Sequence, residues 1–179
     1  MAHRTQLNRQ IAKLTGVSRH TIDRIGVNLN RGGIIRAGGR GRHAPTMGPE
    51  DLKTIILALL GSDSTGRVFK TVLKLHALET EDGYNFGDAL RDICSDAEKA
   101  ARVMQISVLR NYPQASIYWK DESGVRIGSI ENFQSDTDKE QPGMRVVATL
   151  SGSVLHDLVK LVLASFPSDS EKSDSAGIG

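Results

Sequence analysis

The sequence predicts an α+β protein, and three observations point to that class. Before residue 110, apolar residues recur every three or four positions in several segments, which is typical of amphipathic helices. Between residues 115 and 150, short alternating stretches separated by turn-forming residues indicate strands. Apolar residues make up 39% of the 179 residues but aromatic residues only 4%, so the core is expected to consist of Leu, Ile, Val and Ala.

Residues 8–25 have the pattern of two short helices joined by a tight turn. Ala12 stands where two helices come close, and Gly16, four residues later, where the backbone must bend sharply. Ser18 is a natural N-cap of the second helix. The small apolar seam of the unit would consist of Ile11, Val17, Ile22 and Ile25. This arrangement predicts a helix-turn-helix.

The segment that follows is predicted to form a wing and a third helix. Ile34 and Ile35 are expected to begin a short strand and residues 44–47 a second one, with a Gly- and Arg-rich loop at 36–43 between them. Pro49 suits the first turn of a helix that ends at Gly61 and covers the seam. Residues 1–61 are therefore predicted to be a winged helix-turn-helix domain.

Residues 66–164 are predicted to form a second, small α+β domain after a polar joint at 62–65. It is expected to begin with a helix at 67–78 and a helix at 86–109 that is continuous or broken near Ser95. Three strands of an antiparallel sheet are expected next, at 115–120, 125–133 and 144–150. The last element is expected to be a helix at 154–163 capped by Ser153. The Ser- and Asp-rich tail, 165–179, is predicted to be disordered.

The charge is distributed unevenly along the chain. Residues 1–45 carry nine Arg or Lys and one acidic residue, whereas the other 134 residues carry fourteen basic and twenty acidic residues. A basic segment of this kind can neutralise phosphates and release counterions. The asymmetry therefore favours a nucleic-acid partner for the amino-terminal part.

Two groups of side chains are candidates for contact with DNA. Arg19 and Arg24 on the second helix could each bind guanine or clamp a phosphate, and His20 and Thr21 could meet bases or backbone. The loop could meet phosphates or, since Arg-Gly-Arg resembles the core of an AT-hook, enter the minor groove. The candidate DNA-binding residues are Ser18, Arg19, His20, Thr21, Arg24, Arg31, Arg36, Arg40, Arg42 and His43.

The order of these features resembles a known family. The chain has the segment Ile11-Ala12-Lys-Leu-Thr-Gly16-Val17-Ser18, then Thr21-Ile22, a basic hairpin, and a helix that begins with Glu50-Asp51-Leu52. This order is similar to that of the winged-helix domain of the MerR family and of the related phage excisionases and small terminase subunits. The resemblance covers residues 9–60. It implies a winged-helix fold and contact with DNA, but no sensing of metals or drugs.

Other classes of function are not favoured. The five histidines have no metal-ligand spacing, and Cys94 lies on an apolar stripe as a core residue would, so we expect neither a metal site nor a cofactor. The acidic clusters Glu79–Asp82 and Asp136–Glu140 suit solvated loops better than a magnesium site, and we expect no enzyme activity. The lack of a long apolar run and of a signal-like start predicts a cytoplasmic protein.

The function predicted from these observations is sequence-specific binding of double-stranded DNA by a bacterial or phage transcriptional regulator. Since one helix-turn-helix reads few base pairs, we expect a homodimer. The carboxy-terminal domain is expected to hold the two copies together, and its acidic surface could contact RNA polymerase. Alternatives are a phage DNA-packaging subunit of the small-terminase kind, a protein adaptor whose helix pair does not touch DNA, and a sensor of small molecules.

Overall fold

The computed structural model describes residues 4–35, 47–62, 64–112, 114–135 and 145–165. It confirms the α+β class. The helices are α1 (Arg4–Thr15), α2 (Arg19–Arg31), α3 (Pro49–Gly61), α4 (Val68–His76), α5 (Phe86–Ser95), α6 (Ala97–Arg102) and α7 (Gly152–Leu163). The strands are β1 (Val103–Leu109), β2 (Gln114–Lys120), β3 (Ile127–Gln134) and β4 (Val147–Ser151).

Helix α3 lies at the centre of the molecule and has the predicted bounds. Pro49 occupies its first turn, and the carboxylate of Asp51 accepts a hydrogen bond of 2.9 Å from the backbone N–H of Gly48. Nearly every side chain between Leu52 and Leu60 is buried. A helix that is apolar on most sides must be covered on most sides, and α3 packs against α2, α4, α5, α7 and the sheet.

The sheet has four antiparallel strands in the order β3-β2-β1-β4, so the prediction of three strands was wrong. The additional strand is β1, which was predicted as the end of a helix. Helix α5 does end at Ser95, as one alternative proposed, but α6 stops at Arg102 and the chain becomes extended. Val103, Ile106 and Val108 are buried, and their β-branched side chains suit the central strand that pairs with β2 and β4.

The two faces of the sheet have different surroundings. Ile106 lies opposite Ile117, and Val108 opposite Ala115, on the buried face that packs against the helices. The other face has a polar row, formed by Asn132, Ser116, Ser107 and Thr149, and also the exposed apolar side chains of Ile130 and Val147. The sheet therefore covers the core with one face and turns the other towards solvent.

The last helix begins earlier than predicted, at Gly152, and its cap is Ser151 rather than Ser153. The side-chain oxygen of Ser151 accepts a hydrogen bond of 3.4 Å from the backbone N–H of Val154. A Cβ on Gly152 would lie 1.8 Å from the carbonyl oxygen of Val103, so only glycine allows the helix to start this close to β1.

The predicted wing is only partly within the described residues. Residues 32–35, including Ile34 and Ile35, form a turn after α2 rather than the start of a strand. Gly33 adopts a φ of 74°, and Ile34 N–H bonds back to the carbonyl of Leu29, which closes the helix instead of extending the chain. The loop at 36–43 and most of the second predicted wing strand lie outside the described residues.

Buried side chains from both halves of the chain form one continuous cluster. The guanidinium of Arg110, after β1, strengthens the connection by donating hydrogen bonds of 2.9 and 3.0 Å to the carbonyls of Leu60 and Leu59 at the end of α3. The division into domains at 1–61 and 66–164 stays a prediction, as does the disorder of the tail, of which residues 166–179 lie outside the described residues.

Candidate nucleic-acid interface

Helices α1 and α2 are joined by a three-residue turn with the expected local chemistry. Gly16 has a φ of 72°, and its N–H donates to the carbonyl of Ala12 at 3.0 Å, which ends α1. Ser18 is the N-cap of α2, because its hydroxyl accepts a hydrogen bond of 3.2 Å from the N–H of Thr21. The turn therefore sets the angle at which α2 leaves α1.

The predicted seam between the helices is buried. Ile11, Ile22 and Ile25 are each at most 3% exposed, and Val17 is partly buried against the same cluster. The core side of α2 also includes Leu29, which is fully buried. Because this side of α2 is fixed to the core, the opposite side is held in a constant orientation towards solvent.

A polar contact that the sequence did not reveal locks the two helices together. The amide of Asn8, which is only 3% exposed, donates a hydrogen bond of 2.8 Å to Asp23 on α2. The other oxygen of Asp23 lies 3.5 Å from Nε of Arg19. The one carboxylate on α2 is thus engaged by two neighbours, which weakens its repulsion of an approaching polyanion.

The exposed face of α2 is basic. His20, Arg24 and Arg31 are exposed and recur at a spacing of four and seven residues, so they lie along one side of the helix together with Val27, which is 46% exposed. Arg19 is exposed on the adjoining side, 47% of its side chain being accessible. These four basic side chains are the part of the predicted site that the structure brings together.

The remaining predicted residues divide into two groups. Ser18 and Thr21 are occupied locally, since their hydroxyl oxygens lie 2.8 Å apart in the cap of α2. Both hydroxyls therefore help to orient the helix, and their contact with DNA stays a prediction. The four loop residues, Arg36, Arg40, Arg42 and His43, lie outside the described residues.

Helix α4 extends the basic surface beyond α2, and sequence analysis missed this. The amide of Asn28 donates a hydrogen bond of 2.6 Å to the carbonyl of Thr65, just before α4. The ring of Phe69 lies against Gly32, where a Cβ would come within 2.4 Å of it. From residue 64 to residue 78 the chain has basic side chains and no acidic one, and Lys70 is exposed. This local excess of basic residues was overlooked because the part of the chain after residue 45 has more acidic than basic residues overall.

One group of acidic side chains lies on α3 and α5. Arg91 lies between Glu50, Asp88 and Asp92, with its closest contact 2.7 Å from Asp88. The phenol of Tyr84 donates a hydrogen bond of 2.7 Å to Asp92, which lowers the pKa of that carboxyl, while burial raises the pKa of Tyr84. These charges are balanced within the fold and form no part of the basic surface.

Cys94 is a core residue, as predicted. It is fully buried, and burial raises the pKa of its thiol to about 12. A thiol with so high a pKa is protonated at neutral pH and a poor nucleophile. Among the described residues, no three His, Cys, Asp or Glu side chains gather in a group that could hold a metal ion.

No family model, curated protein or solved structure matches this chain. None of the described helices is long and apolar enough to cross a bilayer. The geometry and charge of the surface formed by α2 and its neighbours are therefore the basis for assigning a function.

Proposed function

We propose that this protein binds double-stranded DNA in a sequence-specific manner through the exposed face of α2 and acts as a transcriptional regulator. The observation that carries the proposal is the row of exposed basic side chains, His20, Arg24 and Arg31, on a helix whose opposite side is anchored in the core. A helix presented in this way after a tight turn fits the second helix of a helix-turn-helix.

The dimensions of α2 suit the major groove. Its 13 residues span about 20 Å, and the groove of B-DNA, about 12 Å wide, admits one α-helix. Arg24 lies in the middle of the exposed face, where a side chain can reach base edges, and a guanidinium can bind O6 and N7 of guanine together. Arg31, at the end of α2, is better placed for a phosphate.

Selection of fragments from a random duplex library by the purified full chain tests the proposal. We expect a defined motif, and we expect Arg24→Ala to lose about 1–3 kcal/mol of affinity for it, because a bidentate contact with a base is removed. Arg102→Ala, an exposed basic residue on α6, is the control and should bind as the wild type does. Failure to enrich any motif, or equal effects of the two substitutions, would contradict the proposal.

A second copy of the chain is part of the proposal, because specific sites are usually read by two helices. Strand β4 lies at the edge of the sheet, and Val147 on it is 53% exposed. In an antiparallel pair, every second residue directs its backbone N–H and C=O towards the neighbouring strand. The backbone N–H of Arg110 donates a hydrogen bond to the carbonyl of Val146, so the backbone groups of Val147 and Thr149 point away from β1. In the proposed dimer, they would pair with the same strand of another copy.

The alternative, a DNA-packaging subunit of the small-terminase kind, shares the same DNA-binding face. The exposed edge of β4 is the observation that allows it, because strand edges also support larger assemblies. The mass of the full chain in solution separates the two: a dimer supports the regulator, and a ring of many copies supports the packaging subunit.

A further inference from the structure

The basic surface that α4 adds to that of α2 includes a concave site. A groove of about 200 Å³ runs between the end of α3, helix α4 and the turn that joins β1 to β2. We call it the α4–β1 groove; among its lining residues are Gly61, Arg67, Lys74, Leu75, Val108 and Arg110.

The groove is positively charged. Its charged lining residues are Arg67, exposed directly before α4, Lys74, exposed on α4, and Arg110, and no carboxylate among the described residues lines it. None of the ion pairs between described residues involves these three side chains. Three cations from two separate elements thus converge on one concave site.

Arg110 also removes the feature that would repel an anion. Helix α3 ends at the groove, and the carboxyl end of a helix carries partial negative charge on its last carbonyls. Arg110 donates hydrogen bonds to two of these carbonyls, those of Leu59 and Leu60. The end of α3 is therefore capped by a cation, and the potential of the groove is set by Arg67 and Lys74.

Gly61 and Leu75, which both line the groove, are tightly packed against each other. Gly61 lies so close to α4 that a Cβ there would be 2.3 Å from Cδ1 of Leu75.

We propose that the α4–β1 groove binds a phosphate group. Guanidinium and ammonium groups are the usual hydrogen-bond donors to phosphate, and a concave site lined by charges of one sign attracts an anion more strongly than isolated charges do. The phosphate belongs either to a free phosphorylated molecule or to the backbone of a duplex held by α2. The second source rests on the proposed function, in which α2 binds the duplex, and α4 packs beside α2.

The test uses the full-length chain, labelled with ¹⁵N, and the double variant Arg67→Gln/Lys74→Gln. The matched control is Arg102→Gln/Lys160→Gln, which removes the same charge from exposed positions on α6 and α7. Inorganic phosphate at millimolar concentration is titrated first, and the amide signals of Gly61, Leu75 and Val108 are followed. The affinity for duplex DNA is then measured at several salt concentrations.

Two results support the proposal and name the source. Phosphate-induced shifts at the groove that disappear in the groove variant, but not in the control, identify a site for free phosphate. If phosphate causes no such shifts, the duplex titration decides. Weaker duplex binding in the groove variant alone identifies a DNA phosphate, and the slope of log affinity against log salt concentration should then be shallower by about one unit for each lost contact.

The proposal is overturned if the groove variant matches the control in both titrations. If the wild type binds no duplex, the proposed function fails, but the phosphate titration still decides the groove by itself. Thermal unfolding of both variants checks that the substitutions leave the fold intact.

Discussion

Asp23 determines how much positive charge α2 presents, because it is the one acidic residue among the basic side chains of the helix. It accepts a hydrogen bond from Asn8 and lies beside Arg19. The first contact holds the helices together, whereas the second is an exposed pair that stabilises the fold little. The two roles of this carboxylate can be separated by one substitution.

We expect Asp23→Asn to tighten binding to duplex DNA by about two- to five-fold, since it removes a negative charge and releases Arg19, while the new amide oxygen still accepts from Asn8. Fluorescence anisotropy with a fixed duplex and fixed salt measures this change. Asp157→Asn, on the exposed side of α7, is the control. Unchanged or weaker binding would show that this side of α2 does not approach DNA.

The hydrogen bond between Tyr84 and Asp92 makes the stability of the fold depend on pH. It lowers the pKa of Asp92, so its contribution is complete above the unfolded pKa of about 4 and is lost as the pH falls through the lower, folded pKa. In urea, we expect Tyr84→Phe to be less stable than the wild type at pH 7 and the difference to shrink in acid. Tyr118→Phe should show no such trend, and a difference independent of pH would contradict this assignment.

At the scale of the elements, the best-predicted parts are those with local signals. The bounds of α3 follow from Pro49 and Gly61, and the turn before α2 follows from Gly16 and Ser18. Each of these residues acts on its own backbone or on that of its immediate neighbours. Such chemistry can be read from the sequence, because it does not depend on distant partners.

The errors occurred where distant partners decide the structure. The apolar residues from Ala97 to Val108 recur at helical spacing, yet the stretch splits into α6 and β1 because β2 and β4 pair with its second half. The cap of α7 could not be chosen between Ser151 and Ser153 without the contact of Gly152 with Val103. For the same reason, the sequence showed neither the hydrogen bond from Asn8 nor the basic surface of α4.

The turn between α1 and α2 can be tested through its glycine. We expect Gly16→Ala to lower the free energy of unfolding by about 1–2 kcal/mol, because a φ of 72° is unfavourable for a residue with a Cβ, although the surrounding space is open. Gly66→Ala, where the space is equally open and φ is ordinary, is the matched control. Urea denaturation of both variants gives the comparison, and equal stabilities would contradict the importance of this turn.

For the whole molecule, the extent of the basic surface is the property that bears most on the proposed function. The basic side chains of α2 and α4 lie on neighbouring elements, whereas Glu50, Asp88 and Asp92 lie around Arg91. In the proposed function, the basic surface would attract a polyanion and orient it as it approaches. The composition predicted a basic segment, but only the packing of α4 beside α2 shows how far this surface extends.

The proposed dimer is also a property of the whole molecule. We expect Val147→Lys to convert the dimer to a monomer in analytical ultracentrifugation, because an exposed charge on an edge strand opposes strand pairing. Val125→Lys, at a position that is 77% exposed in the turn between β2 and β3, should leave the mass unchanged. A wild type that is already monomeric, or a dimer that survives Val147→Lys, would contradict pairing through β4.

The central claim, that the exposed face of α2 contacts a duplex, is tested most directly by titrating the ¹⁵N-labelled full chain with the duplex obtained by selection. We expect the largest amide shifts between Arg19 and Arg31, centred on Arg24, with smaller ones on α4. Shifts confined to the sheet or to α5 and α7, with the signals of α2 unmoved, would contradict the account.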